Sequence, residues 1–172
     1  MFQKGEYIIY GNTGVCHVED VCKRSDLPPE ERNTLFYRLS PVHSSVTIYI
    51  PVESPIFMRP VITREAALAL IARIPEIETD GFQAADPKQQ AAHYKDSFKT
   101  HDCEDLIQLI KTVYLKNRAL TDRGRRPAKT DTQYMQQAEA LLHTELGIAL
   151  GMPTEAVSDF IAQSMQQEGQ VS

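Results

Sequence analysis

Four residues whose side chains could bind a metal or act as nucleophiles follow one another in "HDCE", His101 to Glu104. Neighbouring positions at the start of a helix point in different directions, so the four groups cannot converge on one ion. We interpret Asp102 as a helix cap and Cys103 as a packed side chain. The segment predicts no metal site.

Cys16 and His17 are a second pair of neighbours whose side chains could take part in catalysis. Successive residues of a strand face opposite sides of the sheet, so this thiol and imidazole cannot form a direct catalytic pair. The sequence also contains no phosphate-cradling glycine loop, no G-x-S-x-G and no H-E-x-x-H pattern. We therefore expect a protein that is not an enzyme and uses no cofactor.

A cationic run is the most unusual feature of the chain: "KNRALTDRGRRPAK", Lys116 to Lys129. From Lys111 to Lys129, seven Lys or Arg residues stand against Asp122 alone, a net charge of +6. Because the whole chain carries −5, the remaining residues together carry −11. Such a segment is typical of a solvated charged loop, or alternatively of a local phosphate contact. The acidic total argues against nucleic-acid binding over the whole surface.

The chain has 172 residues, of which 42% are hydrophobic and 24% are charged. This composition is ordinary for a globular protein, so the residues above are expected to be positioned by regular secondary structure. No apolar run approaches the roughly 20 residues of a membrane span, and no secretory signal is visible. Three cysteines without metal-like spacing fit reduced thiols. We expect a cytoplasmic monomer that does not contact a membrane.

The first 60 residues carry the pattern of a small antiparallel β domain. Five segments rich in β-branched and aromatic residues are separated by turn-forming residues, such as "GNTG". Close spacing of short strands favours a strongly bent barrel that keeps at least one edge partly open. The predicted strands are residues 6–10, 15–21, 35–40, 46–52 and 56–60.

The periodicity becomes helical from Thr63 onward and predicts an all-α domain of about four to five helices. The predicted helix starts share a capping side chain, at Thr63, at Asp86 before Pro87, at Asp102, and at Thr130 in a capping box with Gln133. Gly151 suits the end of the longest helix. The prediction is therefore an α+β chain.

We place the β domain at residues 1–62 and the helical domain at residues 63–172, with a linker around residues 75–86. We expect the last residues, 166–172, to be frayed.

The β segment reads "KGEYIIYGNTGVCHVEDV", then "LFYRLSP" and "TIYIPVESPIFMRPVIT". These segments resemble the N-terminal, Tudor-like module of the CarD/CdnL transcription regulators, which transcription-repair coupling factors share. The helical part continues the resemblance with "HDCEDLIQLIKTVYLKNRAL" and "DTQYMQQAEALLHTELGIALGM". The form is most similar to variants found in Firmicutes. The matching positions in the β segment include Gly5, Tyr10, Gly14, Val18, Glu19 and Pro51.

The resemblance implies that the β module binds the β subunit of bacterial RNA polymerase, in a docking that resembles strand addition to an exposed sheet edge. It places Arg24 and Tyr49 at polymerase-contacting positions, where relatives often carry Arg in place of Tyr49. Backbone pairing along Val46 to Ile50, a segment that includes Thr47, Ile48 and Tyr49, would survive that change, whereas a salt bridge would not. Alternatively Val46, Ile48 and Ile50 are core residues.

The resemblance also implies that the helical domain contacts DNA upstream of the −10 promoter element and stabilises the open complex. Relatives place a minor-groove Trp where this chain has Gln90. Lys95 matches a family cation, and His93 lies nearby. From their position in the cationic run, Arg125, Arg126 and Lys129 would contact phosphates without sequence preference.

The resulting hypothesis is a transcriptional regulator, associated with the nucleoid through RNA polymerase, that binds promoter DNA by backbone contacts. The alternative is a protein-interaction adaptor that binds polymerase and makes no DNA contact. The sequence does not distinguish activation from repression.

Overall fold

The computed structural model describes residues 1–82 and 84–171, with side chains described through Gln166. The chain divides into two compact units, Met1–Val61 and Ile62–Ser172. The first unit is a β-sheet and the second is built from helices. The last helix extends through Val171, so the predicted fraying is wrong for residues 166–171, and residue 172 lies outside the described range.

The first unit is one antiparallel sheet with the strand order β4-β3-β2-β1-β5. Because β4 and β5 end this order, the sheet is open at two edges. The small five-stranded antiparallel domain that we predicted is therefore confirmed. The strands are β1 Tyr7–Tyr10, β2 Gly14–Lys23, β3 Leu35–Pro41, β4 Ile48–Pro51 and β5 Met58–Pro60.

One face of the sheet carries a compact apolar core, because alternate residues of each strand point to the same side. The buried members are Ile8, Cys16, Val18, Tyr37 and Leu39. The Tyr37 hydroxyl accepts a hydrogen bond from the Phe2 N–H at 2.9 Å, so this buried polar group is satisfied.

The second unit contains five α-helices, and an all-α domain of this size confirms the prediction. They are α1 Arg64–Arg73, α2 Pro87–Lys99, α3 Cys103–Asp122, α4 Lys129–Leu150 and α5 Thr154–Val171, with a short 3₁₀ helix at Ile74–Glu76. None of the helices in the described part of the chain combines the length and apolar content that a membrane span requires.

Three of the predicted helix starts are confirmed by their hydrogen bonds. The side-chain oxygens of Thr63, Asp86 and Asp102 accept from backbone N–H groups in the first turns of α1, α2 and α3, at 2.8–3.1 Å. Gly151, with φ at 71°, ends α4 as predicted.

The predicted capping box at Thr130 and Gln133 is wrong. Helix α4 begins at Lys129, and its N-cap is Ala128, which has no side-chain hydrogen bond to offer. The helix starts earlier because Asp131, in its first turn, is buried against α2 and α3 and fixes that turn in place.

The helical core is held together by apolar contacts and by buried carboxylates, one of which is Glu145. Glu145 on α4 accepts hydrogen bonds from the Ile62 N–H at 3.0 Å and from the Cys103 Sγ at 3.2 Å. These contacts fix the first residue of the helical unit and the start of α3 against α4. The largest fully buried side chains of this core are Leu146, Val113 and Val157.

Candidate functional site

The outer edge of β4 presents unpaired backbone groups. The Val52 N–H donates to the Leu35 carbonyl at 3.0 Å, so these residues form a hydrogen-bonded pair of the antiparallel ladder. Such pairs alternate along a ladder, which makes the Arg38–Tyr49 pair a non-hydrogen-bonded one. The N–H and C=O of Tyr49 therefore point away from β3, towards the open edge.

The neighbouring Pro51 fits this reading, because it also occupies a non-hydrogen-bonded position and has no N–H to contribute. The C=O of Pro51 accepts from the Ser54 N–H at 3.0 Å, in the turn that follows β4. The N–H and C=O of Tyr49 are therefore the outward donor and acceptor of β4 that could pair with an added strand.

Arg24 stands directly over the side chain of Tyr49. Its guanidinium carbon lies 4.4 Å from the centre of the Tyr49 ring. The same guanidinium donates to Asp26 from Nε at 3.1 Å and from Nη2 at 2.5 Å. Hydrogen bonding within the pair raises the pKa of Arg24 and lowers the pKa of Asp26. The structure thus brings together the two residues that the resemblance assigned to polymerase.

The remaining predicted residues of this edge differ in position. Strand β4 begins at Ile48 and not at Val46, so Val46 and Thr47 precede the strand and are exposed. Val46 is 59% exposed, which makes its prediction as a core residue wrong. Ile48 and Ile50 pack against the sheet core, as the alternative interpretation expected.

The face of the sheet that carries Tyr49 also carries a row of polar side chains. His17 Nδ1 lies 2.8 Å from Glu19 Oε1, and the Tyr7 ring lies against His17 at a centroid distance of 4.8 Å. The hydrogen bond from His17 lowers the pKa of Glu19. Arg38 stands opposite Tyr49 on the adjacent strand. This face is therefore polar and partly aromatic, unlike the opposite face.

Helix α2 places two of the three predicted DNA contacts on one side and the third on another. His93 hydrogen-bonds to Asp80 and stacks on the Phe82 ring with centroids 3.9 Å apart, so it fastens the preceding segment to α2. Gln90 is partly buried and lines the same small cavity. Lys95 is exposed, and at about 100° per residue it lies well around the helix from both. The structure therefore brings Gln90 and His93 together and leaves Lys95 apart from them.

The turn between α3 and α4 is closed by two backbone hydrogen bonds. The Gly124 N–H donates to the Thr121 carbonyl at 2.9 Å, and the Arg125 N–H donates to the Leu120 carbonyl at 2.8 Å. This is the Schellman arrangement, and it requires the left-handed conformation that Gly124 adopts at φ 72°. The turn therefore gives Arg125 a defined place after the helix end.

Two of the seven cations of the run make contacts within the helical unit. Lys111 donates to the carbonyls that end α1 and the 3₁₀ helix, including Ile74 at 2.9 Å and Ile77 at 2.7 Å. Lys116 lies 2.7 Å from a carboxylate oxygen of Asp131. Five of the seven cations remain as an exposed group around the turn, against the exposed Asp122. We call this group the cationic turn, and it comprises Arg118, Arg123, Arg125, Arg126 and Lys129.

The sheet unit matches a known protein family. Residues 2–62 match the family model described as CarD-like/TRCF RID domain. This unit is a CarD-like domain. Domains of this type belong to transcription-related proteins that interact with RNA polymerase. The CarD resemblance predicted from sequence is confirmed over these residues. No curated protein matches the chain significantly.

Beyond the CarD-like unit, sequence reasoning missed Asp131, although it is only 2% exposed. The Tyr94 hydroxyl donates to Asp131 Oδ1 at 2.8 Å, and the Lys116 Nζ lies 2.7 Å from Oδ2. Burial first, and then the Asp131 contact, raise the pKa of Tyr94. This network joins α2, α3 and α4 beside the cationic turn. Its only sequence signal was an acid in the first turn of a helix, which is common on exposed surfaces.

The buried Cys16 thiol of the CarD-like unit is not activated as a nucleophile. Burial raises the pKa of Cys16 to about 11, which disfavours the reactive thiolate. Cys16 belongs to the sheet core and His17 to the polar face, as the alternation of β2 predicts.

Proposed function

We propose that this chain is a transcription regulator without enzymatic activity that binds the β subunit of bacterial RNA polymerase and contacts promoter DNA. The observation that carries the proposal is the open β4 edge of a CarD-like unit, with Arg24 stacked on Tyr49 beside it. The CarD-like unit holds polymerase, and the cationic turn of the helical unit meets DNA phosphates.

The polymerase contact uses backbone and side chain together. A strand of polymerase adds to β4, pairing with the outward N–H and C=O of Tyr49. Relatives often carry Arg where this chain has Tyr49, so a cation is missing from that position. Arg24 supplies a cation at the same place, because its guanidinium is held over the Tyr49 ring. Arg24 matches the residue type of those relatives, so this chain keeps one of the two cations and lacks the one at position 49.

The DNA contact is electrostatic and independent of base sequence. Five exposed cations and one exposed acid give the cationic turn a net charge of +4. Each phosphate contact contributes about −0.9 to the dependence of log affinity on log salt, so five contacts give a slope no steeper than about −4.5. Such a contact is weak alone. Polymerase bound to the same chain raises the effective concentration of DNA at the turn.

The regulatory effect follows from the difference between polymerase states. A contact that fits the open promoter complex better than the closed one shifts the equilibrium towards opening, and the reverse preference opposes it. The direction is set by which state presents DNA to the cationic turn.

A second candidate is a polymerase-binding adaptor that makes no DNA contact. It is favoured by the positions of His93 and Gln90, which the resemblance places next to DNA. His93 is engaged with Asp80 and Phe82, and Gln90 is partly buried beside them. These side chains stabilise the helical unit in the structure.

Co-elution with core RNA polymerase in gel filtration tests the proposal. The parent chain is expected to co-elute, and Arg24→Glu/Tyr49→Glu is expected not to. Lys4→Glu is the control, because Lys4 is an exposed cation of the same unit. In parallel, the lifetime of open complexes is measured with Arg125→Glu/Arg126→Glu. Co-elution with no change of lifetime between parent and variant selects the adaptor. Failure of the folded parent to co-elute contradicts both candidates.

A further inference from the structure

Helix α3 exposes two large apolar side chains in its second half. Tyr114 is 55% exposed and Leu115 is 46% exposed, whereas Leu109 and Val113 of the same helix are buried in the core. Tyr114 has no aromatic partner within the described residues. Its ring is therefore available to a ligand.

The nearest charge on this face is positive. Arg118 follows Tyr114 by four residues and Leu115 by three, and these spacings make side chains neighbours on a helix surface, with Cβ atoms about 5–6 Å apart. Arg123, the C-cap of α3, lies about 7.5 Å further along the helix axis and about 140° around it from Arg118, at 1.5 Å and about 100° per residue. Arg118 is therefore the cation of the turn that lies beside the exposed ring, and the other cations follow at the end of the helix.

The combination of an exposed aromatic ring and several cations defines the chemistry of the partner. An apolar protein surface would leave the arginines without partners, and phosphate alone would leave the ring exposed. A nucleotide satisfies both groups, because its base stacks on an aromatic ring while its phosphate meets a guanidinium. In a duplex the base faces are stacked on each other, so the ring reaches a base only in an unpaired strand.

We propose that this face of α3 binds single-stranded nucleic acid, with Tyr114 stacking on a base and Arg118 and the cationic turn holding the phosphates. The inference deepens the proposed DNA contact and rests on it. Promoter opening produces unpaired strands, so a stacking contact of this kind would favour the open state over the closed state.

The test compares two labelled probes by fluorescence anisotropy: a deoxythymidine 12-mer and an abasic oligonucleotide of the same length and charge. The parent is expected to bind the thymidine probe at least about fivefold more tightly than the abasic probe, because stacking contributes per base. Tyr114→Ala is expected to abolish this preference, and Tyr114→Phe to retain it. Leu68→Ala is the control, because Leu68 is 40% exposed on α1.

Each outcome has a distinct meaning. Equal binding of the parent to both probes, or a preference that survives in Tyr114→Ala, overturns the stacking contact. If the stacking contact is overturned but Arg125→Glu/Arg126→Glu weakens binding to duplex DNA, the proposed DNA contact stands alone. If Arg125→Glu/Arg126→Glu changes binding to none of the probes, the proposed DNA contact itself is contradicted. Loss of polymerase co-elution in Tyr114→Ala, with unchanged binding to both probes, assigns the face to a protein partner.

Discussion

The guanidinium carbon of Arg24 lies 4.4 Å from the centre of the Tyr49 ring, and the guanidinium donates two hydrogen bonds to Asp26. A long, flexible side chain is thereby held beside the open edge of the sheet before any partner binds. Pre-orientation of this kind lowers the entropy that binding must remove. It also explains how a chain with Tyr at position 49 can still present a cation there.

Replacement of Arg24 by Lys tests this arrangement. Lysine keeps the charge but loses both the planar stacking on Tyr49 and the fork that Asp26 accepts. An exposed cation–π contact is worth about 0.5–1 kcal/mol, so we expect polymerase affinity to fall by about two- to fivefold. Surface plasmon resonance with immobilised polymerase measures the change. An unchanged affinity for Arg24→Lys would show that only charge matters at this position.

The cationic turn predicts a specific change in salt dependence. Arg125→Ala/Arg126→Ala removes two phosphate contacts, so the slope of log affinity against log salt should become about 1.8 less negative. The measurement is titration of a labelled promoter duplex at several salt concentrations. Lys4→Ala/Lys88→Ala removes the same charge from other exposed positions and should leave the slope unchanged. Equal slopes for parent and turn variant would argue that these arginines do not contact phosphates.

The buried carboxylate of Asp131 predicts a large loss of stability on truncation. In Asp131→Ala the buried Tyr94 hydroxyl loses its acceptor and Lys116 loses its counter-charge, while Lys116 can still turn to water. We expect the free energy of unfolding to fall by about 1–3 kcal/mol. Urea unfolding followed by helical circular dichroism at 222 nm reports on this unit.

Asp122→Ala is the matched control, since Asp122 is an exposed acid on α3. Its effect should stay within about 0.5 kcal/mol. The account of the network fails if the two alanine variants unfold at the same urea concentration.

His143 on α4 predicts a dependence of stability on pH. Burial lowers the pKa of its imidazole, and Glu139 only partly opposes this effect. The neutral form is thus favoured in the folded state, so the contribution to stability is complete above the unfolded pKa of about 6.5. It is lost as pH falls from that value through the lower folded pKa.

The difference in unfolding free energy between the parent and His143→Gln isolates this residue from the other histidines. We expect the parent to lose more stability than the variant between about pH 7 and pH 5. Parallel curves for the two proteins over this range would contradict the burial argument.

Local signals in the sequence determined most of the architecture correctly. Helix caps at Thr63, Asp86 and Asp102 depend on residues three or fewer positions away, so the sequence shows them directly. The sheet followed from β-branched segments and turns. Most of these local signals agree with the structure, whereas the capping box predicted at Thr130 does not.

Long-range contacts were not visible in the sequence. Asp131 accepts a hydrogen bond from Tyr94, which lies 37 residues earlier in the chain. Nothing in the sequence around Asp131 distinguishes this residue from an exposed acid. Lys111 looked like part of the cationic run, but its ammonium group binds carbonyls more than 30 residues away. The same difficulty affected His93, whose partners Asp80 and Phe82 belong to the segment before α2.

The central claim is that polymerase adds a strand to β4, and comparison of Tyr49→Pro with Tyr49→Ala tests it most directly. Both variants lose the ring and its contact with Arg24, but only proline also removes the outward N–H. The pairing of β3 with β4 should survive in both, because this N–H points away from β3. Circular dichroism and thermal unfolding check that the sheet is intact.

The account predicts that Tyr49→Pro binds core RNA polymerase about tenfold more weakly than Tyr49→Ala, since a backbone hydrogen bond is lost and its acceptor on polymerase is left unpaired. Equal affinities of the two folded variants would contradict strand addition at this edge.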